Sequence, residues 1–120
     1  MKYSGWFNKV LAKKETNGLL WVLYQIDIER PHLNGVTDNI ICATCGMDAE
    51  TIINSARNGS CISVYGYNTN VRVTDIEFVR KDKSVFVCGI IELEPPAAPS
   101  DEIVDSALKE LLLDYYNKIE

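Results

Sequence analysis

Between residues 19 and 29 apolar and polar positions exchange with a period of two. Val22, Tyr24, Ile26 and Ile28 fall on one side, and Trp21, Leu23, Gln25, Asp27 and Glu29 on the other. This spacing predicts a β-strand, because successive side chains of an extended backbone leave on opposite faces. Residues 3–14 predict the strand before it, joined through Glu15-Thr16-Asn17-Gly18, whose Asn-Gly pair is a strong hairpin signal. Arg30-Pro31-His32-Leu33-Asn34-Gly35 then breaks the pattern, since Pro31 has no N–H for a central ladder and Asn34-Gly35 favours a turn. Residues 37–45, rich in β-branched and small side chains, predict a third strand. From 48 to 58 the period changes: Ile52, Ile53 and Ala56 fall at helical spacing, Asp48 suits a cap, and Asn58-Gly59 suits a C-terminal stop. Residues 60–66 return to alternation, with Ile62 and Val64 opposed to Cys61, Ser63 and Tyr65. A hairpin is expected through Val71, Val73, Ile76 and Phe78, turning near Lys81-Asp82-Lys83, and residues 85–93 predict the last strand.

Three strands, a short helix and two strands cannot cover both faces of an open sheet. Curling into a small barrel capped by the helix is the economical solution, so the expected class is mainly β, a five-stranded OB-fold barrel over residues 1–94. Glu94-Pro95-Pro96-Ala97-Ala98-Pro99 reads as a stiff linker over 95–99. Residues 100–120 then predict an acidic helix, with Ser100 as cap and Asp101 and Glu102 placed for its dipole. Val104, Leu108, Leu111 and Tyr115 form its apolar stripe, widened by Ala107, Leu112 and Ile119. Such a stripe must be buried, either on the barrel or on another chain. The linker favours a role in oligomer formation or in binding a protein partner.

Length and composition keep this picture to one domain with a single core. The chain has 120 residues, 47% of them hydrophobic and 24% charged, which argues against disorder. The start of the chain has no apolar h-region, and no apolar run approaches the ~18 residues of a membrane span. The expected location is therefore cytoplasmic, with no membrane partner. Cys42, Cys45, Cys61 and Cys88 lie in apolar stretches, so reduced, buried thiols are expected. The net charge of −5 is uneven. Residues 1–94 carry ten Lys/Arg against eleven Asp/Glu, whereas residues 95–120 carry two against six. A nearly neutral body lacks the basic footprint of a strong phosphate binder.

Several segments nevertheless resemble the bacterial single-stranded-DNA-binding protein family, which includes a primosomal replication protein. Ser4-Gly5 with Phe7 stands near the start of strand one, as in that family. Cys45-Gly46-Met47-Asp48-Ala49-Glu50 is similar to its phenylalanine-glycine-x-x-alanine-glutamate approach to the helix. Asn58-Gly59-Ser60-Cys61-Ile62-Ser63-Val64-Tyr65-Gly66 is similar to its lysine-glycine-serine segment ending in glycine, and Thr74-Asp75 falls at a similar pair. The resemblance runs from Gly5 to Leu93, about three-quarters of the chain. It implies an OB-fold that holds single-stranded DNA, or RNA, in replication, recombination or repair. The family's three base-stacking positions fall here on Asn39, Cys45 and Val73, none of which can stack a base. The chain ends in Asn117-Lys118-Ile119-Glu120 rather than the family's proline-phenylalanine tip.

Stacking would then rest on other aromatics. Trp6 and Trp21 lie opposite their strands' core residues Phe7 and Val22, Tyr65 lies opposite Val64, and Tyr67 follows Gly66. Lys9, Lys13, Lys14, Arg72, Arg80, Lys81 and Lys83 are the candidate phosphate ligands around them. The same aromatics would equally suit packing against the C-terminal helix or a neighbouring subunit. Phe7 and Tyr24 belong to the expected core. Cys42-Ala43-Thr44-Cys45 is a lone C-x-x-C whose cysteines, three apart on a strand, point to opposite faces. No metal or other cofactor is therefore expected. His32, the only histidine, lies in a loop without a triad motif, and no glycine-rich phosphate loop occurs, so the chain is not expected to be an enzyme. Two functions follow as expectations. One is single-stranded nucleic-acid binding by a homo-oligomer. The other is an OB-fold interaction module that has lost nucleic-acid binding and works through its helix or a barrel face.

Overall fold

Five strands close on themselves in the order β1-β2-β3-β5-β4 in the computed structural model. They are β1 (Lys2–Thr16), β2 (Leu19–Glu29), β3 (Thr37–Cys45), β4 (Cys61–Thr74) and β5 (Arg80–Gly89). Helix α1 (Met47–Ser55) joins β3 to β4, and α2 (Asp101–Lys118) follows β5. The structure describes residues 1–16, 18–29, 37–74, 80–90 and 101–118, without the side chains of Arg80, Lys81, Asp101 and Lys118. The expected features at Asn17, the 30–35 break with His32, Ile76, Phe78, the end of the last strand, the 95–99 linker, Ser100 and Ile119 lie outside the described residues.

All strand pairs are antiparallel except β3 with β5, which run parallel through Cys42↔Phe86 and Ala43↔Val87. The first third of β1, Lys2–Trp6, pairs with β4 and the rest, from Trp6 on, pairs with β2, so this one long strand closes the sheet. Register shifts between Phe7 and Lys9 and between Val10 and Ala12 bend it between its two partners. The closure brings backbones together at glycines. A Cβ on Gly66 would strike the carbonyl oxygen of Val87, and one on Gly5 that of Asp27.

Two apolar layers result. Inside the barrel, Phe7, Val22, Tyr24, Ile26, Val64 and Phe86 pack with Ala49 and Ile52 of α1, which plugs one end. Outside it, Trp21, Leu23, Ala43, Val71, Val85 and Val87 form a second apolar face, covered by α2. Double burial explains why 21–24, 42–45 and 85–89 are each buried without interruption. The alternation of β2 is therefore apolar on both sides at its start, with different neighbours on each.

Three local expectations are corrected. The α1 N-cap is Gly46 with no side-chain cap, and the Asp48 carboxylate instead accepts from the Ile90 N–H at 3.3 Å. The helix ends at Ser55, because Ala56 is already extended, so the Asn58-Gly59 turn follows the helix stop rather than making it. Lys81-Asp82-Lys83 is not a turn. It lies within β5, paired with Val73, Arg72 and Val71 of an uninterrupted β4.

Candidate nucleic-acid interface

Because Tyr3, Gly5 and Phe7 face inward, the alternation of β1 turns Lys2, Ser4 and Trp6 outward. Their cross-strand partners on β4 are Tyr65, Ser63 and Cys61. Together they make one outward wall. The Lys2 Nζ stands 5.5 Å from the centre of the Tyr65 ring, a cation–π geometry, and the Ser4 and Ser63 hydroxyls hydrogen-bond at 2.9 Å. Trp6 is 40% exposed and Tyr67, two residues beyond Tyr65, is 39% exposed. Trp6 borders a shallow hollow of about 470 Å³ with Ser4, Glu29, Cys61 and Ser63. Four residue steps of β4 separate Cys61 from Tyr65, roughly 13 Å along the wall. The wall thus offers two aromatic platforms with hydroxyl groups between them, and one ammonium. Its far side is acidic. Asp27 lies opposite Trp6 and accepts two bonds from the Asn8 amide, at 3.1 and 3.3 Å.

The other residues expected to bind are spread over the molecule. Lys9 is exposed on β1 opposite Gln25, near the wall. Lys13 and Lys14 lie seven and eight residues beyond Trp6 on β1, roughly 25 Å away by strand rise. They border a separate hollow with Glu15, Glu50 and Asn54 between the β1–β2 end and α1. The Lys14 Nζ is 3.8 Å from the Asp114 carboxylate of α2. Arg72 donates to Asp82 at 2.8 Å across the β4–β5 ladder, and this pair holds its guanidinium above the usual arginine range. Lys83 lines a third hollow with Tyr3, Asn39 and Asn68. The backbones of Arg80 and Lys81 pair with Thr74 and Val73.

Trp21 requires a correction. It leaves the barrel interior as the alternation implies, but α2 covers it and it is 0% exposed. The stripe of α2 is seated on the same chain. Val104, Leu108, Leu111 and Leu112 are buried, the buried tyrosine is Tyr116, and Tyr115 sits half-buried at the margin. Of the three positions that the resemblance singles out, Cys45 and Val73 are buried in the apolar layer that α2 joins, while Asn39 is exposed.

Cys42, Cys45 and Cys88 are buried thiols, whereas Cys61 is exposed beside Trp6, against the expectation for it. Cys42 lies in the inner layer and Cys45 in the outer one. Inside the barrel the Tyr24 hydroxyl meets the Thr44 hydroxyl at 2.7 Å and the Cys88 Sγ at 3.3 Å. Burial first, then the neighbouring thiols, push Tyr24 well above its usual range. The hydrogen bond with Cys88, then burial, raises Cys42. At Cys88 burial pushes upward, but bonds with Cys42, Tyr24 and Thr44 outweigh it and leave the thiol lowered. This cluster is buried, and none of its residues lines the hollows described above.

The wall's composition of Lys2, Ser4 and Ser63 was not singled out from the sequence. The inward placing of Phe7 implied Lys2 and Ser4, but their partners on β4 depend on barrel closure. Compared with known proteins, the chain matches no family model and no curated protein. Among the described residues no helix is long and apolar enough to cross a membrane.

Proposed function

We propose that this chain binds single-stranded nucleic acid along the outward β1–β4 wall, holding unpaired strands in replication, recombination or repair without catalysis. The observation that carries the reading is Trp6, exposed in line with the Lys2–Tyr65 stack on a barrel wall. Aromatic faces accept any base, and hydroxyls between them serve sugar and phosphate oxygens. The strand order, with β3 and β5 parallel and a helix between the third and fourth strands, supports an OB-type arrangement, as does the resemblance from Gly5 to Leu93. With few cations on the wall, affinity would come from stacking more than from phosphate contacts.

The test is fluorescence anisotropy of a labelled oligo-dT strand at low and moderate salt, with tryptophan emission followed in parallel. Trp21 is sealed beneath α2, so quenching by the strand reports Trp6. Saturable binding is expected, and Trp6→Ala should weaken it by about 1–3 kcal/mol, the worth of one stacked base. Absence of binding at low salt would overturn the reading. It would leave the second one, a protein-interaction module, which the burial of Trp21 and the pairing of Lys14 and Arg72 with acids favour.

A further inference from the structure

Strands β3 and β5 join each other at only two paired positions, Cys42↔Phe86 and Ala43↔Val87. Ahead of these, each strand keeps its other partner, β2 for β3 and β4 for β5, and no ladder links the two. Extended backward, the parallel register would set Asn39 beside Lys83 and Ile40 beside Ser84. Instead the sheet is parted there, at the end of the barrel away from α1, and a hollow of about 370 Å³ lies in the seam. Small-molecule sites begin at roughly 300 Å³.

Both faces of the sheet contribute to this hollow. Asn68 pairs directly with Phe86, Ser84 shares the parity of Phe86, and both face the barrel mouth with Tyr3. Asn39 and Lys83 share the parity of Ile41 and Val85 and stand on the outer side. The floor is aromatic, with Tyr3 and Phe86 edge to face and their ring centres 4.8 Å apart. Around it stand two amides, one hydroxyl and one ammonium. Among the described residues the side chains of Asn39, Lys83 and Ser84 have no polar partner. Asn68 donates to the Met1 sulfur at 3.4 Å, a weak acceptor that a ligand can displace. The hollows beside Lys13 and beside Trp6 each contain a glutamate, whereas the described lining of this one has a cation and no carboxylate.

We infer that the seam between β3 and β5 holds one nucleotide, with its base over Tyr3, its phosphate at Lys83, and adenine preferred. An aromatic floor takes the flat face of a base, and side-chain amides meet its polar edge. A carboxamide carries a donor and an acceptor side by side, the complement of the adenine N6 amino group and N7. A carboxylate, the usual partner of the cytosine amino group, is missing from the described lining. Lys83 stands on the outer side, where a phosphate can meet its ammonium while staying partly in water. Lys2 on the wall and Tyr3 in the hollow are consecutive residues, so a strand running along the wall toward Lys2 reaches the rim of the hollow. The inference rests on the hollow's own lining and stands whether or not the wall binds a strand.

The ¹⁵N-labelled full-length chain would be titrated with adenosine, guanosine, cytidine and uridine 5′-monophosphates, and with adenosine. Heteronuclear NMR reads the side-chain amides of Asn39 and Asn68, identified by their loss in Asn39→Ala and Asn68→Ala. The Trp6 indole, identified by Trp6→Phe, reports the wall separately. Adenosine 5′-monophosphate is expected to move both amides saturably and leave the indole unmoved, with the pyrimidine nucleotides weaker by about tenfold. Lys83→Ala should weaken the monophosphate by about fivefold and leave adenosine unchanged. Oligo-dA that moves amides and indole together makes the hollow part of a strand's path. Oligo-dA that leaves the amides unmoved, while the mononucleotide moves them, makes it a site for a free nucleotide. Amides that no nucleotide moves, equal affinity for all four, or a Lys83→Ala loss as large for adenosine as for its monophosphate would each overturn the inference.

Discussion

Gly66 has no room for a side chain. A Cβ there would meet the Val87 carbonyl oxygen and lie 2.7 Å from the Cys88 Cα, both of them backbone and unable to swing aside. Gly66→Ala should therefore lower stability by about 1–3 kcal/mol, the usual cost of overpacking, with no loss of secondary structure at low temperature. Urea unfolding followed by circular dichroism checks this, and an unchanged midpoint would mean that β5 does not approach so closely. The sequence marks Gly66 as a bend, but the atom that demands it comes from twenty-one residues downstream. Single residues were legible in this partial way elsewhere. Phe7 and Tyr24 are core, as their alternation implies. Cys61 looks as apolar and as buried as the other cysteines until β1 pairs beside it and leaves it outside.

Elements were more legible than their surroundings. The stripe of α2 reads correctly at Val104, Leu108 and Leu111, because helical periodicity is local. Tyr115 packs only at the margin, and the buried tyrosine is Tyr116, which continues the row of Leu108 and Leu112 at spacings of four. Leu108 is fully buried in that interface. Leu108→Ala should remove about 2–5 kcal/mol through lost burial and the cavity left behind. Trp21 lies under the helix and its emission should shift toward the red at lower urea than in the parent chain. A Trp21 signal unaffected by the substitution would show that α2 does not cover it. The β4–β5 turn was misplaced. Lys81-Asp82-Lys83 has the composition of a turn, but Asp82 finds Arg72 directly across the ladder and the charged run becomes strand.

For the molecule as a whole, double-sided burial of the sheet has a consequence at high pH. Burial, with a smaller contribution from the Asp48 carboxylate, pushes the Cys45 thiol from an ordinary 9.0 to about 11. Cys42 and Tyr24 are raised as well, and Cys88 alone goes the other way. A raised folded pKa means that folding favours the protonated group. That stability is complete below the ordinary value, 9.0 for Cys45, and is lost as pH rises through the folded value of about 11. The melting temperature should therefore hold to about pH 9 and fall toward pH 11, and Cys45→Ala should flatten part of that fall. Melts across this range decide it, and identical slopes for parent and variant would refute the assignment to Cys45. The chain alone was enough to specify strand, strand, strand, helix, strand, strand, helix, because periods of two and of about 3.6 are written in neighbouring residues. It also placed Trp21 and Trp6 outside the barrel interior. Whether an outward residue meets water depends on what packs over it from distant sequence, and only the folded chain shows α2 sealing Trp21 while Trp6 stays open on the β1–β4 wall.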